Sequence, residues 1–141
     1  MDIHPLGTVT GSDASFQCFE DEPLQVRRPD VAFLAQGRFP IEELARGHVT
    51  VVPDLAVEVV SPNDYVYELN KKVQEYLRAG VRLVWVIDPE NRTLAVHRAN
   101  RTLTEFLPND ELSDEDIIPG FRCLVQDLFK PLDLFAKPPA P

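Results

Sequence analysis

The residue under most chemical tension in this chain is Glu58, an acid at the centre of an apolar run. The run reads Val51-Val52-Pro53-Asp54-Leu55-Ala56-Val57-Glu58-Val59-Val60-Ser61-Pro62. Its β-branched residues and Ser-Pro end predict a strand over about 51–60, buried on at least one face. An acid inside such a strand is costly unless it is paired, protonated or bound to a metal. Asp54 shares its face, because side chains on a strand alternate. Four residues at about 3.3 Å each separate the two by roughly 13 Å, so they cannot share one ion on a regular strand. Asp54 is therefore expected to help begin the strand or to bond a neighbouring loop. Asp30 is the better partner. It lies on a separate predicted strand, and neighbouring strands are only about 4.8 Å apart. Two carboxylates converging in this way can hold a divalent cation, with water completing the shell. Such an ion activates water and neutralises charge on a phosphodiester.

That chemistry also calls for a lysine to act on the attacking water or to stabilise the transition state. Position 60 would be the simplest place, but it holds Val60. The next candidates are Lys71 and Lys72 on the following helix. At about 100° per residue, Lys72 lies about 90° from the centre of the apolar stripe and Lys71 about 170°. Lys72 thus flanks the buried side, and Lys71 points to water. Simpler roles compete with each assignment. Glu58 could be a structural acid paired with Arg or Lys, Asp30 a turn former after Pro29, and Lys72 a solvated helix lysine. Arg27 and Arg28 could contact phosphates or form an exposed ion pair. Trp85 and Tyr76 read as core. His4, His48 and His97 have no ligand spacing.

The elements that must position these groups follow from pattern. Residues 1–15 read as loop or an edge strand, 14–20 and 24–34 as strands, and 40–45 as a short helical turn. A helix over 65–79 carries a stripe of Val66, Leu69, Val73, Tyr76 and Leu77, with Asn63 and Asp64 as cap candidates and Gly80 as its stop. Residues 81–88 are the strongest strand signal, followed by a turn at 89–92 and a hairpin strand at 93–98. Another strand is expected at 102–107, a solvated acidic loop at 109–116 and a helical turn at 125–129. The outline is an α/β or α+β protein: one mixed central sheet flanked by helix.

Composition sets the outer bounds. The chain has 141 residues, 44% of them hydrophobic and 26% charged, which suits a globular protein. We expect a single domain over residues 1–130 and a disordered Pro-rich tail over 131–141. No apolar run is long enough for a membrane span, and the N-terminus lacks signal-peptide character. The two cysteines, Cys18 and Cys123, show no metal or disulfide framework, so a reducing cytoplasm is expected. A net charge of −9 argues against a wide basic surface for nucleic acid, while leaving room for a small basic patch or a carboxylate pair awaiting a cation.

Several segments together resemble a known family. They are Arg28-Pro29-Asp30-Val31-Ala32-Phe33, Pro53 through Pro62, Lys72-Val73-Gln74-Glu75-Tyr76, Ala79-Gly80-Val81 and Val84-Trp85-Val86-Ile87-Asp88-Pro89. In that order, and with Pro119-Gly120-Phe121 and Asp127-Leu128-Phe129 near the end, they resemble the Uma-type restriction-endonuclease family of the PD-(D/E)XK nuclease superfamily. The likeness spans about residues 8–130. It implies a restriction-endonuclease-like fold and a nuclease hydrolysing phosphodiester bonds, in DNA first, with Mg²⁺ or Mn²⁺ held by Asp30 and Glu58. In that family an apolar residue commonly replaces the lysine of the E-x-K motif and a helix lysine serves instead, which here is Lys72. Members usually begin with a longer segment whose helix packs on the sheet, whereas few residues precede the first strand here. An uncovered apolar sheet face and a homodimer are the corresponding expectations. The alternative is a non-catalytic interaction module on a nuclease-like fold, or, third, an acidic mimic of nucleic acid.

Overall fold

The computed structural model of the protein describes residues 2–4, 6–39, 47–114 and 116–130. In chain order the elements are β1 (Asp2–His4), β2 (Gly7–Thr10), β3 (Ser15–Phe16), β4 (Val31–Ala35), β5 (His48–Val49), β6 (Leu55–Val59), α1 (Val66–Ala79), β7 (Leu83–Asp88), β8 (Thr93–Arg98), β9 (Leu103–Phe106), β10 (Glu111–Ser113) and β11 (Arg122–Leu124), then a 3-10 helix at Val125–Phe129. Seven of the strands form one sheet in the order β1-β2-β4-β6-β7-β8-β9. Every neighbouring pair in it is antiparallel except β6 and β7, which run parallel. A parallel pair needs a crossover, and α1 supplies it. The sheet is mixed and helix-flanked, as expected.

Because side chains alternate along a strand, β6 feeds two cores. Ala56 joins Val73, Tyr76 and Leu77 of α1, together with Phe16, Cys18 and Phe19, on one side of the sheet. Leu55 and Val57 join Phe33, Trp85, Leu94 and Val96, with Leu112, Ile117, Val125 and Phe129, on the other. The second face keeps a groove of about 580 Å³ lined by Val9, Phe33, Val57, Trp85, Phe121 and Leu128, among others. An incompletely covered apolar sheet face is thus present among the described residues.

Several boundaries differ from expectation. The strand anticipated over 24–34 begins only at Val31; Leu24 is exposed, and Arg27 instead makes an isolated bridge to Phe16. The acidic stretch 109–116 is not simply solvated. It contains β10, paired with β11, and Asp114 is buried against Arg98 at 2.7 Å. The cap of α1 also differs. Asp64 accepts a hydrogen bond from the Ser61 N–H, and no side chain caps the helix at Tyr65. At the other end Gly80 takes the left-handed conformation (φ 104°), which glycine adopts without a Cβ penalty. The anticipated turn at 40–45 and the tail at 131–141 lie outside the described residues. No described helix is long and apolar enough to cross a membrane.

Candidate active site

Antiparallel pairing of β4 and β6 sets Val31 opposite Val57 and Ala32 opposite Ala56. Carried one residue further, that register places Asp30 opposite Glu58. Asp30 stands just before β4, where one of its carboxylate oxygens accepts a hydrogen bond from the Val59 N–H at 2.7 Å. That bond ties it to the end of β6 that bears Glu58. The charge of Asp30 is near enough to push the Glu58 pKa upward.

Glu58 itself is 6% exposed, on the face that α1 covers. Two helix residues meet it. Tyr76 donates its hydroxyl to Oε1 at 2.7 Å, and the Lys72 Nζ lies 3.5 Å from Oε2. Residues 72 and 76 are one turn apart and so share a helix face. Val73, Tyr76 and Leu77 anchor that face in the core. Burial raises the Glu58 pKa above the ordinary carboxylate value; the Tyr76 hydrogen bond and the Lys72 charge oppose the shift without cancelling it. The same burial and the adjacent acid push the Tyr76 hydroxyl far up, so it stays a donor.

The other buried acids sharpen the contrast. Glu75 is met by Arg27 at 2.6 Å, Asp54 by Arg38 at 2.7 Å, and Asp114 by Arg98 at 2.7 Å. Each of these has a close guanidinium. Among the buried carboxylates described, Glu58 alone has a lysine at a loose 3.5 Å. Asp54 also accepts the Ala35 N–H at 2.7 Å, so it bonds neighbouring backbone as expected and takes no part at Glu58.

In front of Glu58 lies a cleft of about 350 Å³, lined also by Lys71, Lys72, Arg27, Tyr65 and two acids, Asp64 and Glu68. Arg27 reaches it already committed to Glu75, with its Nε and Nη2 both donating to one oxygen at 2.9 and 2.6 Å. Sequence reasoning offered Arg27 as a phosphate contact or an exposed pair; the structure makes it one half of a pair whose acid is buried. It also placed Tyr76 in the core and missed its hydroxyl on Glu58. The available signal was its spacing of four from Lys72. No cluster of three or more His, Cys, Asp or Glu side chains suited to a metal occurs among the described residues.

A two-carboxylate, one-lysine arrangement at the end of paired strands can hold a hard cation and act on water beside it. Comparison with known proteins bears on that chemistry. No curated protein matches the chain. A solved structure described as a "putative nuclease belonging to DUF820" from Anabaena variabilis ATCC 29413 matches with a TM-score of 0.74 and 22% identity, covering 89% of this chain and 69% of that one. At that identity the likeness establishes the fold. A model of the Uma2 family, described as "Putative restriction endonuclease", matches residues 1–126, and the chain belongs to that family.

Proposed function

We propose that this protein is a metal-dependent endonuclease that hydrolyses phosphodiester bonds in DNA, with Asp30, Glu58 and Lys72 as its catalytic residues. The observation that carries the reading is the incomplete compensation of Glu58. A structural acid would be expected to have the tight arginine partner that Glu75, Asp54 and Asp114 have, whereas Glu58 keeps a raised pKa behind a loosely placed lysine. A cation is the missing compensation that this pattern suits.

The donor set fits Mg²⁺ or Mn²⁺. Two hard carboxylates, Asp30 just before β4 and Glu58 on the adjacent β6, leave the remaining positions to water, as small divalent ions prefer. When bound, such an ion supplies a more acidic water and neutralises charge on the phosphate. The chain's own groups do the rest. Tyr76 fixes the orientation of the Glu58 carboxylate through its 2.7 Å bond. Lys72, a third exposed and at the cleft, hydrogen-bonds the attacking water or a phosphate oxygen. Lys71 on the rim adds positive charge where a phosphodiester would enter. Two free thiols, Cys18 buried and Cys123 half-buried, suit a reducing, cytoplasmic setting. A homodimer belongs to the same reading; its support is the apolar groove on the far face, and sedimentation velocity reads it.

The test is supercoiled plasmid and single-stranded circular DNA with Mg²⁺ or Mn²⁺, using the wild type and Glu58→Gln, which preserves size and the Tyr76 contact. The wild type should cleave. The variant should lose at least about a hundredfold, the several kcal/mol that such an ion contributes, with no fall in its unfolding midpoint. Undiminished cleavage by the variant would overturn the site. A folded wild type that neither cleaves nor responds to metal would favour the non-catalytic module, for which the net charge of −9 and the acids in the cleft speak.

A further inference from the structure

The first turn of α1 does something that its apolar pattern does not predict. Tyr65, Val66 and Tyr67 are consecutive and 64%, 75% and 71% exposed. Neither tyrosine belongs to a core cluster, and the periodicity that assigned Val66 to the buried stripe fails there. The two rings stand together, centroids 6.2 Å apart and planes 29° from parallel. Tyr65 also lines the cleft that holds Glu58 and Lys72. Single exposed apolar side chains are ordinary on protein surfaces. Two aromatic rings stacked on each other at the mouth of a candidate active site are a more specific arrangement, because such a surface is free to take a flat partner.

We infer that Tyr65 and Tyr67 form a stacking platform for unpaired nucleobases, so that the substrate class is single-stranded nucleic acid or an unpaired segment of it. The inference rests on the nuclease reading and specifies its substrate. Charge supports it. The chain carries −9 overall, and the cleft sets Asp64 and Glu68 against Lys71 and Lys72. Phosphate attraction, the main source of affinity for duplex binders, is therefore weak here. Stacking on aromatic faces needs little net charge and works with any base, since every base has a π face. In a duplex those faces are occupied by neighbouring bases; they become available only where the strand is single or a base is turned out. A platform beside the cleft would thus hold bases while the phosphodiester next to them lies over Glu58 and Lys72.

The experiment measures binding and cleavage separately. Fluorescence anisotropy with Ca²⁺ in place of the active ion reads binding of a labelled single strand and of the matching duplex; Mg²⁺ or Mn²⁺ then reads cleavage. The proteins are the wild type, Tyr65→Ala/Tyr67→Ala, Tyr65→Phe/Tyr67→Phe and Glu58→Gln. The wild type should prefer the single strand. The double alanine variant should lose at least roughly 5-fold on the single strand, the low end for one lost stack, with duplex binding unchanged. The double phenylalanine variant should stay near wild type, since it keeps the ring faces. Far-UV circular dichroism of both tyrosine variants should match the wild type, because both rings are exposed. Equal affinity for single strand and duplex, or an alanine variant that binds like wild type, overturns the inference. Cleavage that needs Glu58 but ignores the tyrosines leaves the nuclease reading standing without the platform. Tyrosine-dependent single-strand binding with no cleavage supports the platform and removes the nuclease.

Discussion

The two faces of β6 use the same five residues for opposite ends. On the α1 side, Ala56 packs tightly while Glu58 carries a carboxylate into the core, where it depends on Tyr76 and Lys72. On the other side, Leu55 and Val57 belong to an apolar cluster that includes Trp85. One face spends apolar area to place a polar group; the other spends it on cohesion. Burial alone therefore does not separate a side chain that packs from one that holds a polar contact. Glu58 and Trp85 are equally hidden, at 6% exposure each, yet only Glu58 carries a titratable group, held by Tyr76 and Lys72.

Substitutions should pull the two faces apart. The largest effect is expected at Trp85. Trp85→Ala should cost about 3–5 kcal/mol in a denaturant titration, as large aromatic truncations do. Trp85 packs on the face away from Glu58, so the cost is one of packing, and cleavage per folded molecule should hold. A matching loss of specific activity would break the proposed separation of roles. Tyr76→Phe comes next. It removes one donor from a buried acid at a cost of about 1–3 kcal/mol, and it should lower cleavage as well because Glu58 loses its anchor. Loss of stability with unchanged cleavage would reduce Tyr76 to a structural partner.

The smallest effect is a slope with pH. Burial raises the Glu58 pKa above 4.5 in the folded state. Between that ordinary value and the raised one, the native state binds the proton more tightly than the unfolded state. Stability from this group is therefore fully present below 4.5 and is lost as pH rises through the folded pKa. In metal-free protein, the stability of wild type relative to Glu58→Gln should fall across that window. A difference that is flat with pH would contradict the raised pKa.

Much of this arrangement was legible from local pattern. The strand at 55–59, the helix closed by Gly80, the strand at 83–88 and its hairpin each carry a strong signal within a dozen residues. Lys72 followed from helical geometry, and Asp30 from the spacing of neighbouring strands. What escaped was the part that depends on distant contacts. Arg27 and Glu75 are 48 residues apart, and nothing local couples them. The Tyr76 ring satisfies a core reading while its hydroxyl serves Glu58; an amphipathic side chain does both, and apolar periodicity sees only the ring. Val66 continues the stripe beyond the part of α1 that is buried, because periodicity does not say where the packing partner ends.

The central claim is that Asp30 and Glu58 form one cation site, and calorimetric titration of Mn²⁺ into metal-free protein tests it most directly. Asp30→Asn keeps an oxygen for the Val59 N–H, and Glu58→Gln keeps one for Tyr76, so both variants should stay folded. The wild type should bind the ion, and each variant should lose at least about tenfold, the scale of even an indirect ligand change. Wild-type protein that takes up no ion, or variants that bind as the wild type does, would contradict it.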